Sequence, residues 1–279
     1  MRVAMCRAHG FSLIELIVVI AVVGILAGIV SVFIRNPIEG YMATARRAEL
    51  VDTADTALLR IAREVRTAVP NSLRITTVSG VVYLEFLPVA DGGRYRAEPT
   101  GAGAGDILDF SNGNDASFDV LGPAVTAAAG QYLVIYNLGL DSDSDVWLGG
   151  NPGGNRRTVT STGTVSNLAF TATGVPLPLE SPSRRFFLAN GPVSYVCNPG
   201  AHTLTRHTGY ALAATQPTGF AGGTGALLAN RVSTCEFSYD AGASQRLGQL
   251  TLQIRLENSE GDNPEGVSLY REVAVNNDA

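Results

Sequence analysis

The sequence predicts an α+β protein in which a long N-terminal helix, membrane-spanning in its first half, packs on an antiparallel β-sheet domain. Two observations carry this prediction. Residues 11–34 form a nearly unbroken apolar run, and the chain beyond residue 70 is rich in Gly, Thr and Ser with short runs of Val, Leu, Ile and aromatic residues. The first pattern is typical of a helix that can cross a membrane, and the second of strands separated by turns.

Composition and charge argue against a nucleic-acid partner. The 279 residues carry a formal net charge of −5, and every basic residue is an arginine. Residues 1–10 contain Arg2 and Arg7 and no acid, so that loss of this segment would leave a net charge of −7. Because no cluster of basic residues that would bind phosphates is present, we expect no nucleic-acid partner.

We expect four segments along the chain. Residues 1–10 form a basic leader and residues 11–35 a transmembrane helix. Residues 36–70 form the amphipathic second half of the helix, and residues 71–279 a single β-rich globular domain outside the cytoplasm. Arg2 and Arg7 favour retention of the leader on the cytoplasmic side, since positive charge flanking a membrane span stays there.

The apolar run is long enough to span a bilayer. At about 1.5 Å per residue, residues 11–34 make a helix of roughly 36 Å, against a hydrocarbon core of about 30 Å. An ordinary secretory signal has a shorter apolar core followed by a cleavage site with small residues. Here the charged leader adjoins the apolar run directly, which favours a transmembrane helix.

Glu15 is the single charged residue in this run. A carboxylate inside an apolar helix is costly and usually has a partner or a function. Glu15 lies only about 6 Å from the start of the run by helical rise, so the headgroup region could solvate it in an isolated subunit. The alternative is a cation supplied by another molecule.

The residues Gly10-Phe11-Ser12-Leu13-Ile14-Glu15, after a basic leader and before an apolar run, resemble the type IV prepilin processing motif. The resemblance implies that prepilin peptidase cleaves between Gly10 and Phe11 and that the new amine of Phe11 is N-methylated. It also implies that Glu15 pairs with the terminal amine of a neighbouring subunit, and that the helix of residues 11–35 packs in a filament core.

Beyond the membrane we expect Asn36-Pro37 to interrupt the helix and cap a new one, which ends near Val69 before Pro70-Asn71. Apolar residues at spacings of three and four predict one buried stripe, formed by Val51, Ala54, Leu58, Ile61, Val65 and Ala68. The arginines mostly lie off that stripe, at positions 46, 47, 60, 63 and 66. They could contact an acidic partner or form a solvated face.

Short strands account for the rest of the chain. A hairpin around Ser79-Gly80 joins strands at 73–78 and 81–87. The other predicted strands are 131–137, 157–171, 186–197, 202–207, 232–239 and 248–257. Two long surface loops are expected, from Asp91 to Gly105 and from Asp141 to Asn155.

Two cysteines are expected to form a disulfide. Cys6 lies in the leader, so a cleaved chain keeps Cys197 and Cys235, an even pair in an oxidising compartment. A bridge across the intervening residues would contribute roughly 4 kcal/mol by the chain-entropy argument. The alternative is a pair of buried free thiols.

Neither a metal site nor a catalytic site is expected. Asp141, Asp143 and Asp145 alternate as in an oxygen-ligand calcium loop, but Val146 and Pro152 occupy the places of the glycine and glutamate of an EF-hand. We therefore expect a solvated acidic turn and no calcium.

The histidines near Cys197 also invite a zinc proposal. His202 and His207 follow Asn198-Pro199-Gly200, which is typical of a hairpin turn and does not favour zinc. No metalloprotease, hydrolase, Walker or dinucleotide motif is present. We therefore expect no cofactor and no enzymatic activity.

Two further segments carry a narrower resemblance. Residues 52–74, with Arg60-Ile61-Ala62-Arg63-Glu64-Val65-Arg66, and residues 192–206, with Pro192-Val193-Ser194-Tyr195-Val196-Cys197, resemble minor pilins of mannose-sensitive haemagglutinin (MSHA) pilus biogenesis. The J-type minor pseudopilins of type II secretion share this layout.

The narrower resemblance implies a subunit that joins other minor and major pilins to initiate or cap a filament. It implies a single-pass protein of the bacterial inner membrane with its globular domain in the periplasm, which reaches the cell surface in a pilus. The alternatives are a type II secretion pseudopilin, an adhesin or ligand-binding module that uses loops near Asp141 and Gly219, and an anchored hydrolase, which has the least support.

Overall fold

The computed structural model describes residues 11–241, 247–258 and 265–279. The chain divides into two compact units, of which the first ends at Glu49 and the second comprises Leu50–Ala279. The predicted α+β class is confirmed, since a long N-terminal helix is followed by antiparallel sheets. The predicted leader of residues 1–10, with Gly10, lies outside the described residues.

Helix α1 spans Leu13–Val65. The predicted interruption at Asn36-Pro37 is wrong, because the helical backbone continues through both residues. A proline removes one backbone donor and costs about 3 kcal/mol in a helix interior, a local penalty that the long helical runs on either side outweigh. The helix ends four residues before the predicted Val69, and the Thr67 hydroxyl donates to the Glu64 carbonyl at 2.8 Å in the closing turn.

The predicted apolar stripe of α1 is largely confirmed. Its buried residues in the second unit recur at helical spacing and are Leu50, Ala54, Ala57, Leu58, Ile61, Ala62 and Val65. Val51 is an exception, since 42% of its surface is exposed. Its neighbour Leu50 is buried instead, so the buried stripe begins one residue earlier than predicted.

Sixteen strands follow the helix in the described residues. The first eight are β1 Arg74–Val78, β2 Val81–Phe86, β3 Val89–Tyr95, β4 Ser117–Leu121, β5 Val125–Ala127, β6 Tyr132–Ile135, β7 Arg156–Thr158 and β8 Gly163–Val165. The others are β9 Asn167–Ala169, β10 Arg185–Ala189, β11 Val193–Asn198, β12 Thr203–Thr208, β13 Thr224–Asn230, β14 Val232–Asp240, β15 Leu247–Asn258 and β16 Glu265–Asn276. Two 3-10 turns lie at Val146–Leu148 and Pro199–Ala201.

The strands form four antiparallel sheets. Their orders are β1-β2-β11-β12-β13, β7-β6-β10-β3-β4-β9, β14-β15-β16 and β5-β8. The predicted hairpin is confirmed, with Val78 opposite Val81 and positive φ angles at Ser79 and Gly80. Two consecutive positive φ angles match the right-handed twist of the strands that such a turn joins.

Several strand predictions need correction. The predicted strand 157–171 is three short strands, β7, β8 and β9, and 186–197 divides into β10 and β11. The predicted loop from Asp91 to Gly105 begins inside β3. Gly92 lies in β3, where a Cβ atom would come within 2.8 Å of the Phe186 carbonyl oxygen, so glycine here permits close strand packing rather than a flexible loop. Strands β3, β4, β5, β13 and β16 were not predicted.

Three apolar clusters hold the second unit together. The largest lies between the Leu50–Val65 part of α1, the five-stranded sheet and the three-stranded sheet. A second lies on the six-stranded sheet, where the rings of Phe118 and Phe186 meet edge to face at 5.1 Å. A smaller third cluster surrounds Trp147 and includes Val69 and Leu87.

Candidate functional site

The N-terminal helix begins with a capped turn. The backbone N–H of Glu15 donates to the Ser12 hydroxyl at 3.3 Å, and the helix starts at Leu13. Ser12 is thus the N-cap and Glu15 the third helical residue, which is the spacing of a capping box, with the bond to the Ser12 hydroxyl formed. A carboxylate in the first turn is also favoured by the unpaired N–H groups of the helix end.

Two of the predicted functional residues lie in this turn and are exposed. Phe11 has 79% of its surface exposed, and the Glu15 side chain is exposed as well. The Glu15 carboxylate makes no hydrogen bond or ion pair with another described residue. The structure therefore places Phe11 and Glu15 within one helical turn of each other. Gly10, the third predicted residue, is not among the residues described.

The first part of α1 is long and apolar enough to cross a membrane. This segment is Leu13–Ser31, and its side chains are exposed. A long segment that is almost entirely apolar and is not buried among the described residues is typical of a membrane span.

A known protein family shares the sequence motif of this N-terminal segment. The family described as "Prokaryotic N-terminal methylation motif" matches residues 5–31. This match supports a type IV prepilin-like protein. No curated protein and no solved structure matches it. The motif marks the prepilin-like protein as a substrate of prepilin peptidase in a pilin and membrane context, anchored by its N-terminal helix.

The predicted disulfide is confirmed. Cys197 of β11 is bonded to Cys235 of β14, with their Cα atoms 6.3 Å apart. The bond joins the five-stranded sheet to the three-stranded sheet, and Cys197 is fully buried. This prepilin-like protein therefore has a covalent link between the two sheets that pack on its helix.

We predict that reduction or replacement of this bond destabilises the second unit. The bridged residues are 38 positions apart, which corresponds to about 4 kcal/mol of unfolding free energy on the chain-entropy argument. Cys235→Ser should lower the urea midpoint of the detergent-solubilised chain, followed by the fluorescence of Trp147, its single tryptophan. Alkylation of both thiols in the exported protein without reductant would contradict the prediction.

An ion pair that was not predicted lies buried between β1 and β2. Arg74 Nε donates to Glu85 Oε2 at 2.6 Å, and the two side chains are only 4% and 0% exposed. Burial raises the pKa of Glu85, and the neighbouring guanidinium partly offsets this. The Tyr210 hydroxyl donates to the other Glu85 oxygen at 2.8 Å, so both carboxylate oxygens are paired.

The same arginine ties two loops to the sheet. Its other nitrogens donate to the carbonyl oxygens of Ala213 and Ala214, at 2.9 and 2.5 Å. Its guanidinium also lies over the Trp147 ring, 3.6 Å from the centroid. Arg74 therefore connects the loop of residues 209–223 and the loop that carries Trp147 to the five-stranded sheet.

A second ion pair joins the helix to the sheet. Arg206 Nε of β12 donates to Glu64 Oε2 of α1 at 2.8 Å, and both side chains are about three-quarters buried. Burial alone would raise the pKa of Glu64, but the hydrogen bond and charge of Arg206 hold it below the ordinary value. Four of the five arginines predicted on this helix, Arg47, Arg60, Arg63 and Arg66, are exposed.

This contact predicts a pH dependence. Because the pKa of Glu64 is lower in the folded chain, its stabilising contribution is present above about pH 4.5 and is lost as the pH falls through the folded value. Glu64→Gln should lower the free energy of unfolding at pH 7 by less than about 1 kcal/mol, because solvent still reaches about a quarter of each side chain and screens the pair. The difference from the unmodified chain should shrink toward pH 3. A difference that stays constant over this range would contradict the prediction.

The aspartate loop has a structural role. Asp145 is buried, and its Oδ1 atom accepts the Trp147 N–H at 2.8 Å, so that it caps the 3-10 turn. The predicted solvated acidic turn is therefore wrong for Asp145, because it must pair an N–H group beside the buried Trp147. Asp141 is exposed. Within residues 11–241, 247–258 and 265–279, no three His, Cys, Asp or Glu side chains form a group that could hold a metal.

The two histidines pack on the sheet as the predicted hairpin requires. Asn198 lies opposite Thr203 across the β11–β12 turn, which confirms the hairpin. His202 Nδ1 lies 3.1 Å from the Val232 carbonyl oxygen. The His207 ring stacks on Phe220 with centroids 4.3 Å apart, and burial lowers its pKa.

Two pairs of residues in these contacts have a signal in the sequence. Ser12 and Glu15 have the S-x-x-E spacing of a capping box. Arg74 and Glu85 are symmetric about the predicted turn at Ser79-Gly80, so the hairpin register places opposite charges across from each other. Tyr210 carries no such local signal, because it meets Glu85 from a position 125 residues away.

Proposed function

We propose that this prepilin-like protein is a minor pilin, similar to MshO, that initiates or caps assembly of an MSHA-type type IV pilus. The observation that carries the proposal is the first turn of α1. There an exposed carboxylate at Glu15 has no partner among the described residues and lies near the start of the apolar, exposed segment Leu13–Ser31. Such a carboxylate is paired when a neighbouring subunit supplies a cation.

The subunit would first be stored in the membrane. Its apolar helix would cross the bacterial inner membrane once, with the globular unit in the periplasm, since Arg2 and Arg7 favour a cytoplasmic leader. In this state the headgroup region and the capped helix end can stabilise Glu15. No chemical conversion is required of the protein, and we propose that it is not an enzyme.

Cleavage would then prepare the assembly contact. Hydrolysis of the peptide bond between Gly10 and Phe11 by prepilin peptidase gives Phe11 a free amine, which N-methylation leaves positively charged. That amine lies next to its own capped helix end, where a positive charge is disfavoured. Pairing with Glu15 of a neighbouring subunit places the amine beside a carboxylate in an apolar setting and thereby fixes the stagger of adjacent helices.

The size of the second unit favours a minor subunit. It contains Leu50–Ala279, with four sheets and three separate apolar clusters. The resemblance to minor pilins and pseudopilins also implies a larger globular domain than in a major pilin. Exposed apolar residues on the same helix, Val51 and Leu59, favour contact with another subunit.

The second candidate is a minor pseudopilin of type II secretion, which would share the cleavage and the contact made by Glu15. Deletion of the gene, with complementation by the full chain, separates the two. Loss of surface pili that the full chain restores, with secretion of exoenzymes intact, is expected of the minor pilin. Intact pili with lost secretion would replace the proposal by the pseudopilin, and intact pili and secretion would overturn both.

A further inference from the structure

Two arginines lie opposite each other across a strand pair. Arg94 of β3 and Arg185 of β10 are direct partners in the register of the six-stranded sheet. Opposed side chains of an antiparallel pair point to the same face with their Cβ atoms about 5 Å apart, so like charges there repel each other. The fold itself gains nothing from this arrangement, whereas an anion bound between the two guanidinium groups removes the repulsion.

Neither guanidinium group is fully paired. Arg94 is exposed, and its side chain makes no hydrogen bond or ion pair with any residue that the structure describes. Arg185 makes one, from Nη1 to Asp278 Oδ2 at 3.2 Å, and the two side chains are 39% and 55% exposed. An ion pair so open to solvent contributes little, so an incoming anion can replace Asp278 or bind to the other nitrogens of Arg185.

A groove runs past both arginines. One part has a volume of about 470 Å³ and is lined by Gly92, Arg94, Arg185 and Phe187. The adjoining part has a volume of about 360 Å³, shares Arg185 and Phe187, and extends to Arg66 just beyond the end of α1. The Arg66 side chain is exposed and unpaired within the described part of the chain. We name this depression the arginine groove.

The two aspartates of the arginine groove already have partners. Asp91 accepts the backbone N–H of Gly92 on one oxygen and that of Thr126 on the other, each at 2.7 Å. Asp278 is the partner of Arg185. The lining therefore holds three arginines and two aspartates, which leaves an excess of positive charge in a chain that is acidic overall.

An aromatic ring lies beside the opposed arginines. Phe187 follows Arg185 by two residues in β10, so it lies on the same face of the strand, and it is partly exposed. Its register partner Gly92 has no side chain, and a Cβ atom there would come within 3.6 Å of the Phe187 ring. Glycine thus leaves room beside the ring for an apolar part of a ligand.

We propose that the arginine groove binds a phosphate ester that carries an apolar or ring-bearing organic group. The terminal oxygens of a phosphate can pair with two guanidinium groups at once, whereas a single carboxylate is satisfied by one. The phosphate lies between Arg94 and Arg185, and the organic group lies on Phe187. This site is separate from the first turn of α1, and it does not require the chain to assemble into a pilus.

Calorimetric titration of the full-length chain in a non-ionic detergent tests this. Phenyl phosphate combines the anionic head with a ring, whereas inorganic phosphate and phenol each supply only one of them. Phenyl phosphate should bind saturably and at least about tenfold more tightly than inorganic phosphate or phenol. No saturable binding of phenyl phosphate, or equal binding of either control compound, would overturn the inference.

Two further probes identify the class and the source of the ligand. A short-chain phosphatidic acid in the same detergent should bind with at least the affinity of phenyl phosphate if the ester is a lipid headgroup, and more weakly if it is a soluble ester. Either result supports the groove as a phosphate-ester site. A glutamate-rich peptide that binds more tightly than both esters would overturn the inference in favour of an acidic protein segment.

Arginine variants locate the binding. Arg94→Gln and Arg185→Gln should each weaken phenyl phosphate binding by at least about tenfold, because each removes a charged donor. Arg184→Gln removes the same charge from a neighbour that pairs with Glu98 and does not line the groove, so it should change the affinity by less than about twofold. An equal loss in Arg184→Gln would overturn the inference, because it would assign the binding to general charge attraction.

The stability of Arg94→Gln supplies a separate readout. Without ligand this variant should unfold in urea at the same midpoint as the unmodified chain or at a higher one, because the substitution removes a repulsion and breaks no pairing. A lower midpoint would overturn the inference, since it would show that Arg94 supports the fold rather than a ligand.

Discussion

Replacement of Glu15 by valine is expected to leave membrane insertion and cleavage intact and to abolish incorporation beside partner subunits. The substitution keeps the helix apolar and removes the carboxylate that would meet a neighbour's amine. Loss of one partner from a buried charge pair costs about 3 kcal/mol or more, which corresponds to at least about a hundredfold in association. The amount of chain in sheared pilus fractions, relative to that in the membrane, measures the effect.

Two control variants define the role of the charge. Glu15→Gln keeps the shape and the hydrogen-bonding oxygen but loses the charge, so it should assemble poorly as well. Leu16→Val changes an adjacent apolar residue and should assemble normally. Normal piliation by the valine variant would contradict the pairing role, and a defect as large in Leu16→Val would assign the effect to helix packing instead.

Replacement of Arg74 by alanine is expected to destabilise the second unit by about 3–5 kcal/mol, because it leaves Glu85 buried without its cation. The carbonyl oxygens of Ala213 and Ala214 would also lose their donors. Since a domain is stable by only about 5–15 kcal/mol, this loss is a large fraction of the total. Unfolding in urea, followed by the fluorescence of Trp147 beneath the guanidinium, measures the change.

An exposed ion pair supplies the matched control. Arg184 Nη2 donates to Glu98 Oε1 at 2.6 Å, with the two side chains 47% and 73% exposed. Arg184→Ala should change the unfolding free energy by less than about 1 kcal/mol. Equal effects of Arg74→Ala and Arg184→Ala would show that the buried pair is worth no more than a surface pair.

The apolar helix and the prepilin-type motif at the N-terminus could be predicted from sequence, because their signals are local. Helix period, apolar length and the order Gly10, Phe11, Glu15 all lie within about two dozen residues. The exception is Asn36-Pro37, a pair that usually ends a helix. Helix α1 continues through it because the helical segments on both sides are long. The same local reasoning found the hairpin at Ser79-Gly80 and the turn between β11 and β12.

The β-rich unit was less predictable, because its strands are defined by distant partners. Strand β3 contains Asp91-Gly92-Gly93, a sequence that is typical of a loop. It is a strand here because it pairs with β10. Strand β13 is short of bulky residues and is stabilised mainly by pairing with β12. Strand β16 alternates in burial along its length, as a half-buried strand should, and that signal in the sequence was missed.

The contacts that the sequence did not predict join residues that are far apart in the sequence or that depend on a buried neighbour. The disulfide could be predicted by elimination, since only Cys197 and Cys235 remain after cleavage. The acidic loop was misread because a capping role for Asp145 requires the buried Trp147 beside it. The cover of the sheet by Tyr210 and Phe220 depends on a loop whose sequence has no strand or helix pattern.

The N-terminus of the chain isolated from its native membrane tests the central claim most directly. Mass spectrometry of the N-terminal peptide should find a chain that begins at Phe11 with one methyl group on its amine. Prepilin peptidase should be required, so that its deletion leaves the chain starting at Met1 or its successor. A chain that keeps residues 2–10 in the presence of the peptidase, or that is cut at another position, would contradict the account.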